Sequence, residues 1–471
     1  MNKFRRILVF GILTFSLAIT ATTVWSKKAM PITGQVVVKS NSEQIPDTLL
    51  ARFKGRVKDK IPGKKTFLIN FPPVIPVDVV IQALENSPKV DYAEPNYEID
   101  IADPLQISIS SPDQYAPPLL LRSSPSNYYA QQSNLNIGLE SALLLSTGER
   151  VTVAVIDNGL DYGHPLFKGR INANGYDFVD DDSDPSEVDG AVLGHGTFVS
   201  GLIMLIAPNS KIMPIRSFNE NGVGTSFLIA KGLQHAVEHN ADIVNMSFGL
   251  EFQSQLLDSA IAAALSFGIT MVASSGNDGK GQVMYPAAQP GVIAVSAIDS
   301  LDLIAEFSNY GEFLDLGAPG VNLYSSMAGQ YEWGWWSGTS FSASVVSGAA
   351  ALVMSRRPGL SPFDMQLLFQ STSQTELNWG SVSPPDSLYG YGVVNAFSSL
   401  MAVGRGDLNN SGRVDITDLT KYVDFFFREG ELPASPKLVA DFNCDNDINI
   451  LDFTGVVDYL FRFGDILDPC F

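Results

Sequence analysis

The chain has 471 residues, with 50 Asp and Glu against 30 Lys and Arg and a formal net charge of −20. That length exceeds a single compact core and predicts two to four domains, while 45% hydrophobic and 17% charged residues exclude a disordered chain. The acid surplus gathers beyond residue 100, where 41 acidic residues face 16 basic ones; this argues against a nucleic-acid partner and for solubility outside the cell, with calcium a candidate counter-ion.

Residues 1–26 read as a secretory signal. Lys3, Arg5 and Arg6 precede an apolar run from Ile7 to about Ile19, and Val24 and Ser26 offer small residues for cleavage. An uncleaved membrane anchor is the alternative. No later segment has the ~18 uninterrupted apolar residues of a spanning helix. Residues 31–100 predict a small α+β unit, with strands in GQVVVK (34–39) and KTFLINF (65–71) and an amphipathic helix at Val77–Asn86. It closes on the strand KVDYAEPNYEI (89–99). Residues 101–130, rich in Ser, Pro and Gln, predict a linker, the kind of segment most readily cut.

Between 131 and 403 strand-like and helix-like runs alternate. Strands are expected at 151–157, 211–218, 241–248, 268–275 and 291–298, nearly free of charge and therefore buried on both faces. Helices are expected at Phe198–Ile206, Ser226–His239, Gln255–Phe267 and Phe341–Arg356. This is the pattern of an α/β, doubly wound, mostly parallel sheet, in which ligands gather at the C-terminal strand ends. Asp157 and Asn277 fall at such ends. Residues 404–471 contain a repeat, GDLNNSGRVDITDLTKYVDFFF and ADFNCDNDINILDFTGVVDYLF, whose first aspartates, Asp407 and Asp441, are 34 residues apart.

Three glycine-rich segments carry the chemistry: VAVIDNGLD (153–161), GHGTFVSG (194–201) and GTSFSASVVSG (338–348). Each alone is weak, but together they supply Asp157, His195 and Ser340 in the chain order Asp, His, Ser. A serine hydroxyl needs a base to take its proton. His195 fits that role, with Asp157 holding the imidazole's tautomer and stabilising the imidazolium. No GxSxG elbow surrounds Ser340, which disfavours an esterase or lipase.

These segments resemble the subtilisin-like serine proteases. The resemblance implies an oxyanion donor at Asn277 of SSGND (274–278), working with the backbone N–H of Ser340. It also implies a substrate cleft at Gly222, Val223 and Gly224 and at Ser247, Phe248 and Gly249, where extended substrate would pair as an added strand, and a pocket wall at Ser274, Ser275 and Gly276. Residues 31–100 resemble the family's inhibitory propeptide, whose last strand leads into that cleft. Departures from the family pattern are Asn158 after the aspartate, Phe198 in the histidine motif and Ser344-Val345 in the serine motif. The acidic run DFVDDDSDPSEVD (177–189) could hold calcium, although a solvated loop is the favoured reading. His164, the pair His235 and His239, and the cluster Trp333, Trp335 and Trp336 read first as structural residues.

The terminal repeat offers oxygen ligands at positions 1, 3, 5, 9 and 12 of two twelve-residue loops, a spacing suited to calcium. They are Asp407, Asn409, Ser411, Asp415 and Asp418 in the first, and Asp441, Asn443, Asp445, Asn449 and Asp452 in the second. Cys444 and Cys470, an even pair in a secreted chain, are expected to form a disulfide. The pattern resembles a dockerin, which implies a cohesin-type protein partner; a calcium-stabilised appendage without a partner is the open alternative. Polypeptide substrates and the chain's own propeptide complete the expected partners. A calcium-dependent attachment protein that only processes itself is the rival from another class.

Overall fold

The computed structural model describes residues 30–101, 125–282, 284–329, 332–409, 414–428, 430, 437–442 and 447–463. The expected signal segment, most of the expected linker, Ser411, Asn443, Asp445 and both cysteines lie outside the described residues.

The N-terminal unit runs β1 (Pro31–Ser40), α1 (Asp47–Arg52), β2 (Arg56–Ile61), β3 (Thr66–Asn70), α2 (Val77–Glu85) and β4 (Val90–Asp100). Its strands pair antiparallel in the order β2-β3-β1-β4. One face is closed by α2, whose Val80, Ala83 and Leu84 join Val36, Val38, Phe67 and Ile69 in a separate core. The expected α+β unit is therefore observed.

The central unit continues with α3 (Pro125–Ala130), α4 (Leu139–Leu143), β5 (Thr152–Asp157), β6 (Tyr176–Asp177), α5 (His195–Ile206), β7 (Lys211–Arg216), β8 (Val223–Thr225) and α6 (Ser226–Glu238). It proceeds through β9 (Ile243–Met246), α7 (Gln255–Ser266), β10 (Thr270–Ser274), β11 (Val292–Ile298), β12 (Leu316–Pro319), β13 (Leu323–Ser326) and β14 (Trp333–Trp336). The elements α8 (Thr339–Arg356), α9 (Pro362–Thr372), β15 (Glu376–Leu377), β16 (Gly380–Ser381) and α10 (Ala396–Gly404) complete it. Seven strands form a parallel sheet in the order β12-β11-β10-β9-β5-β7-β6. Side chains along each strand alternate between two cores. Val153 and Val155 of β5 pack with α5 and α8 on one face, while Ala154 and Ile156 pack with α6 and α7 on the other. That two-sided burial produced the charge-free runs in the sequence, and the doubly wound α/β fold is the observed one.

Residues 125–130 depart from the expected linker. They form α3, whose Tyr128 is fully buried and donates its hydroxyl to the Gly201 carbonyl at 2.6 Å. An aromatic ring anchored to α5 makes this stretch part of the central unit. Beyond α10 the chain forms α11 (Ile416–Phe427) and α12 (Ile450–Asp458). Asp415 and Asn449 cap these helices, each in a reciprocal capping box, with Asp418 and Asp452 respectively. Leu408, Leu419, Tyr422, Phe442 and Val456 pack there with Met401 of α10. Among the described residues no helix is long and apolar enough to cross a membrane.

Candidate active site

The parallel sheet delivers Asp157 at the C-terminal end of β5, and α5 and α8 begin beside it with His195 and Ser340 in their first turns. Asp157, His195 and Ser340 are all buried. Asp157 Oδ1 lies 2.8 Å from His195 Nδ1 and accepts the Asn158 N–H at the same distance. The His195 ring packs between Trp336 and Phe341, each centroid 5.7 Å away. Phe198, standing where the family has a histidine, closes this aromatic floor 4.5 Å from Phe341. Trp336 therefore touches the imidazole, a contact that the sequence offered only as a packing residue.

Ser340 Oγ donates to the Ser247 carbonyl at 3.4 Å, and Ser247 Oγ donates to the Ser340 carbonyl at 3.3 Å. Asn277 follows β10 and accepts from both the N–H and the hydroxyl of Thr339, each at 2.9 Å. Those bonds hold its Oδ1 against the start of α8 and fix the orientation of the amide. Gly276, at φ +107°, sits where an added Cβ would lie 2.4 Å from the Asn309 amide nitrogen. Only glycine fits that close approach. Ser274 and Ser275 are buried beside it, and the Ser275 carbonyl accepts from Met284 N–H at 3.1 Å.

The expected cleft residues are gathered by one feature, the extension of β4. Glu98, Ile99 and Asp100 pair antiparallel with Thr225, Gly224 and Val223 of β8. Ile101 N–H then donates to the Gly222 carbonyl at 2.9 Å, and Ile101 forms an antiparallel bridge with Phe248 on the other side. The N-terminal unit thus ends as a strand between the 222–225 and 247–249 segments. Two upstream side chains clamp it. Glu94 accepts from Ser254 Oγ (2.7 Å), Gln255 N–H (2.9 Å) and Leu256 N–H (3.0 Å) at the start of α7. Asn96 accepts from Ser226 Oγ and Phe227 N–H, both 3.1 Å, at the start of α6. Burial raises the Glu94 carboxyl above its usual range, opposed by those hydrogen bonds. Neither residue was singled out in the sequence, because their partners lie about 130 to 160 residues away.

The acidic run is not simply a solvated loop. Asp177 and Asp180 both pair with Arg216, whose guanidinium is almost wholly buried. His235 and His239 stack on each other at 3.9 Å, with His235 Nε2 2.7 Å from the Asn174 carbonyl. His164 Nε2 meets the Glu332 carbonyl at 2.8 Å, and burial lowers its pKa. These are structural positions.

Of the ten expected calcium ligands, Asp407, Asn409, Asp415, Asp418, Asp441, Asn449 and Asp452 are described. Asp407, Asp418, Asp441 and Asp452 are buried. Asp418 accepts from the N–H groups of Asn409 and Asp415, both 2.9 Å, folding the first loop onto its own helix. Burial and the charges of Asp407 and Asp415 raise its pKa, against those hydrogen bonds. Arg356 lies 3.8 Å from Asp407, and Arg405 lies 3.4 Å from Asp441. Among the described residues no three acid, histidine or cysteine side chains gather closely enough to hold a metal.

Comparison with known proteins gives three family matches: the subtilase family over residues 148–392, the fervidolysin N-terminal prodomain over 19–96 and the dockerin type I domain over 405–461. The chain is 31% identical to a thermophilic serine proteinase of Bacillus sp. strain AK1 over 81% of its own length and 91% of the relative's. It is 37% identical to a subtilisin of Bacillus pumilus over 45% of its length and 79% of that protein's. Its structure resembles that of fervidolysin from Fervidobacterium pennivorans, a keratinolytic enzyme related to subtilisin, with TM-score 0.66 and 26% identity. That match covers 79% of this chain and 61% of fervidolysin's.

Proposed function

Because this chain belongs to the subtilase family and is a serine endopeptidase with a fervidolysin-like prodomain and a dockerin type I module, we propose that it is a secreted zymogen working through Asp157, His195 and Ser340. Ser340 Oγ attacks the scissile carbonyl as His195 removes its proton. Asp157 holds His195 through the 2.8 Å contact and offsets the charge that develops on the ring. Asn277 and the backbone N–H of Ser340 stabilise the tetrahedral oxygen. The start of α8 adds a favourable field for that negative charge. The amine leaves with a proton from His195, giving an acyl-enzyme, and water then releases the acid by the same steps in reverse order.

The observation that carries the zymogen reading is the β4 extension lying in the cleft. A substrate would pair with Gly222–Gly224 and with Ser247–Gly249 as residues 98–101 do, so the propeptide competes by occupying the same backbone partners. The segments of the chain, 31–100, 101–124, 125–403 and 404–471, then serve as inhibitor, maturation segment, protease and docking module, behind a signal at 1–26.

Calcium is the cofactor that the last segment supports. The two repeats bury Asp407, Asp418, Asp441 and Asp452, and carboxylate oxygens are the ligands that a hard dication prefers. Asp407, Asn409, Ser411, Asp415 and Asp418 would hold one ion, and Asp441, Asn443, Asp445, Asn449 and Asp452 a second. Cys444 and Cys470 are assigned to a disulfide. A cohesin-type partner is favoured over a bare appendage by Ile416 and Ile450, which stand 55% and 46% exposed at equivalent places in the two repeats.

The test compares wild type with Ser340→Ala, both expressed from residue 27, for propeptide release and casein hydrolysis in calcium. Release and turnover in the wild type alone support the protease reading. A folded, processed wild type without casein turnover reduces Ser340 to a single self-processing event and favours the attachment protein.

A further inference from the structure

Helix α5 starts at His195 with a defect. Its N-cap is Gly194, at φ +95° and without a capping side chain, and an added Cβ there would lie 2.9 Å from Met327. A glycine cap leaves the first helical N–H groups without a local acceptor. They are taken instead by two side chains from elsewhere. The Glu187 carboxylate accepts from Gly194 N–H and, at 2.6 Å, from Thr197 N–H. Asn158 Oδ1 accepts from Gly196 N–H at 2.9 Å, while its Nδ2 donates to the Val192 carbonyl at 3.0 Å and reaches Glu187 at 3.5 Å. His195 N–H itself bonds the Val192 carbonyl at 3.0 Å. The backbone N–H groups from 194 to 197 are thus all held, and the donors on both sides of His195 end on Glu187 or Asn158.

The same two residues are tied to the aspartate strand. Asn158 directly follows Asp157 and is fully buried. Glu187 N–H bonds the Leu160 carbonyl at 3.2 Å. Gly159, at φ +117°, lets the 185–187 segment lie against this turn, since a Cβ there would be 2.7 Å from the Pro185 carbonyl oxygen. The two reacting side chains come from elements 38 residues apart, and this carboxylate–amide bracket joins their backbones.

We propose that Glu187, together with Asn158, is a positioning residue that fixes His195 against Asp157 and so sets the general base in its working geometry. It touches no substrate and acts through the backbone of α5. The inference rests on His195 being the base. It also gives the unusual Asn158 a task, because the amide supplies both the acceptor for Gly196 and the donor for Val192. Burial, and less so the nearby Asp157 charge, raise the Glu187 pKa, and the Thr197 and Gly194 donors oppose that only in part. A loosened base costs rate steeply, on the order of 10²-fold for a 1 Å displacement.

The experiment measures kcat and KM separately on an extended peptide anilide, using mature wild type, Glu187→Ala and Glu187→Gln, with propeptide supplied in trans where self-processing is slow. Each is assayed well below its Tm. The expected result for Glu187→Ala is kcat lower by about 10- to 100-fold, KM within twofold, and weakening of the low-field His195 Nδ1 proton resonance. Glu187→Gln, which retains an acceptor, recovers at least half of the lost log rate. Unchanged kcat in Glu187→Ala, or a Gln variant no better than the Ala variant, overturns the proposal. If Glu187→Ala gives no folded enzyme, Glu187→Gln and Asn158→Ala are compared on the same readouts, and a kcat equal to wild type in both overturns it. His195→Ala tests the underlying assignment: retained turnover there removes the base itself, whatever Glu187 does.

Discussion

Ile99→Ala should release the propeptide's hold on the cleft. Ile99 is 1% exposed, pairs with Gly224, and belongs to the core cluster that includes Phe218, Phe227 and Phe248. The substitution leaves the strand's backbone bonds in place and deletes three carbons from a closed site. Such deletions cost about 2–5 kcal/mol in protein cores. The free cleft is open to water once the propeptide leaves, so the low end applies, about 2–3 kcal/mol, or a 30- to 150-fold weaker inhibition constant. The assay titrates residues 27–101, as a separate chain, against mature enzyme and fits progress curves on a peptide anilide. Val74→Ala, at a site 86% exposed, is the control and should stay within about twofold. If the separate chain is unfolded, the half-life of the intact precursor gives the same comparison. A change below about threefold for Ile99→Ala, or equal effects at both sites, would mean that side-chain burial contributes little and that the backbone pairing and the Glu94 and Asn96 clamps hold the inhibitor alone.

Other outcomes follow from the same geometry. Asn277→Ala should keep the fold and lose about 10²–10³-fold in kcat, the loss of ~2.7–4 kcal/mol transferred from removal of such a donor in a subtilisin; equal turnover would reject the oxyanion role. Asp157→Asn should leave the structure intact and lower kcat by about 10⁴-fold, because the amide favours the wrong imidazole tautomer; a crystal structure and rate at pH 8 check both halves. Burial lifts Glu187 to about 7, above its unfolded value of about 4.3. Its contribution to stability is then complete below the unfolded value and is lost as pH rises through 7, so the Tm of Glu187→Gln relative to wild type should climb between pH 5 and pH 8.5, and a constant difference would contradict the shift. Chelation of calcium should lower the melting temperature of the 404–471 module; at 100 times the dissociation constant each ion contributes about 2.7 kcal/mol, and a melting curve indifferent to chelator would remove calcium from the account.

The sequence was most informative where the physics is local. The strands of the parallel sheet lie among residues that must be apolar on both faces, so β5, β9 and β11 fall inside the expected runs. Asp157, His195 and Ser340 were legible because close helix starts need glycine neighbours, which marks each motif. Helix α5 begins at His195 rather than Phe198, since the glycine turn at 194 allows the chain to enter the helix three residues earlier. The pairing of β4 with β8 was legible only through resemblance. No local pattern in Glu98–Asp100 specifies Val223–Thr225 as its neighbour, and the clamps from Glu94 and Asn96 become visible only when the starts of α6 and α7 are in place.

Charge was the hardest property to read, and the run 177–189 shows why. Its composition says only that acids are concentrated. In the fold they divide by partner: Asp177 is buried against Arg216, Asp180 reaches the same guanidinium from the surface, half-buried Glu187 goes to the backbone beside His195, and Asp182 and Asp184 stay exposed. What separates them is whether a cation or a row of N–H donors waits in the interior, because a buried carboxylate without either is too costly to keep. The four buried aspartates of the last segment obey the same rule. Arg356 and Arg405 stand near Asp407 and Asp441, and hydrogen bonds from the loop backbone reach Asp418 and Asp452. Among the described residues, two guanidinium groups stand within 4 Å of these carboxylates, one beside Asp407 and one beside Asp441. The case for calcium therefore starts from buried carboxylates set at the spacing of oxygen ligands, which suits a hard cation.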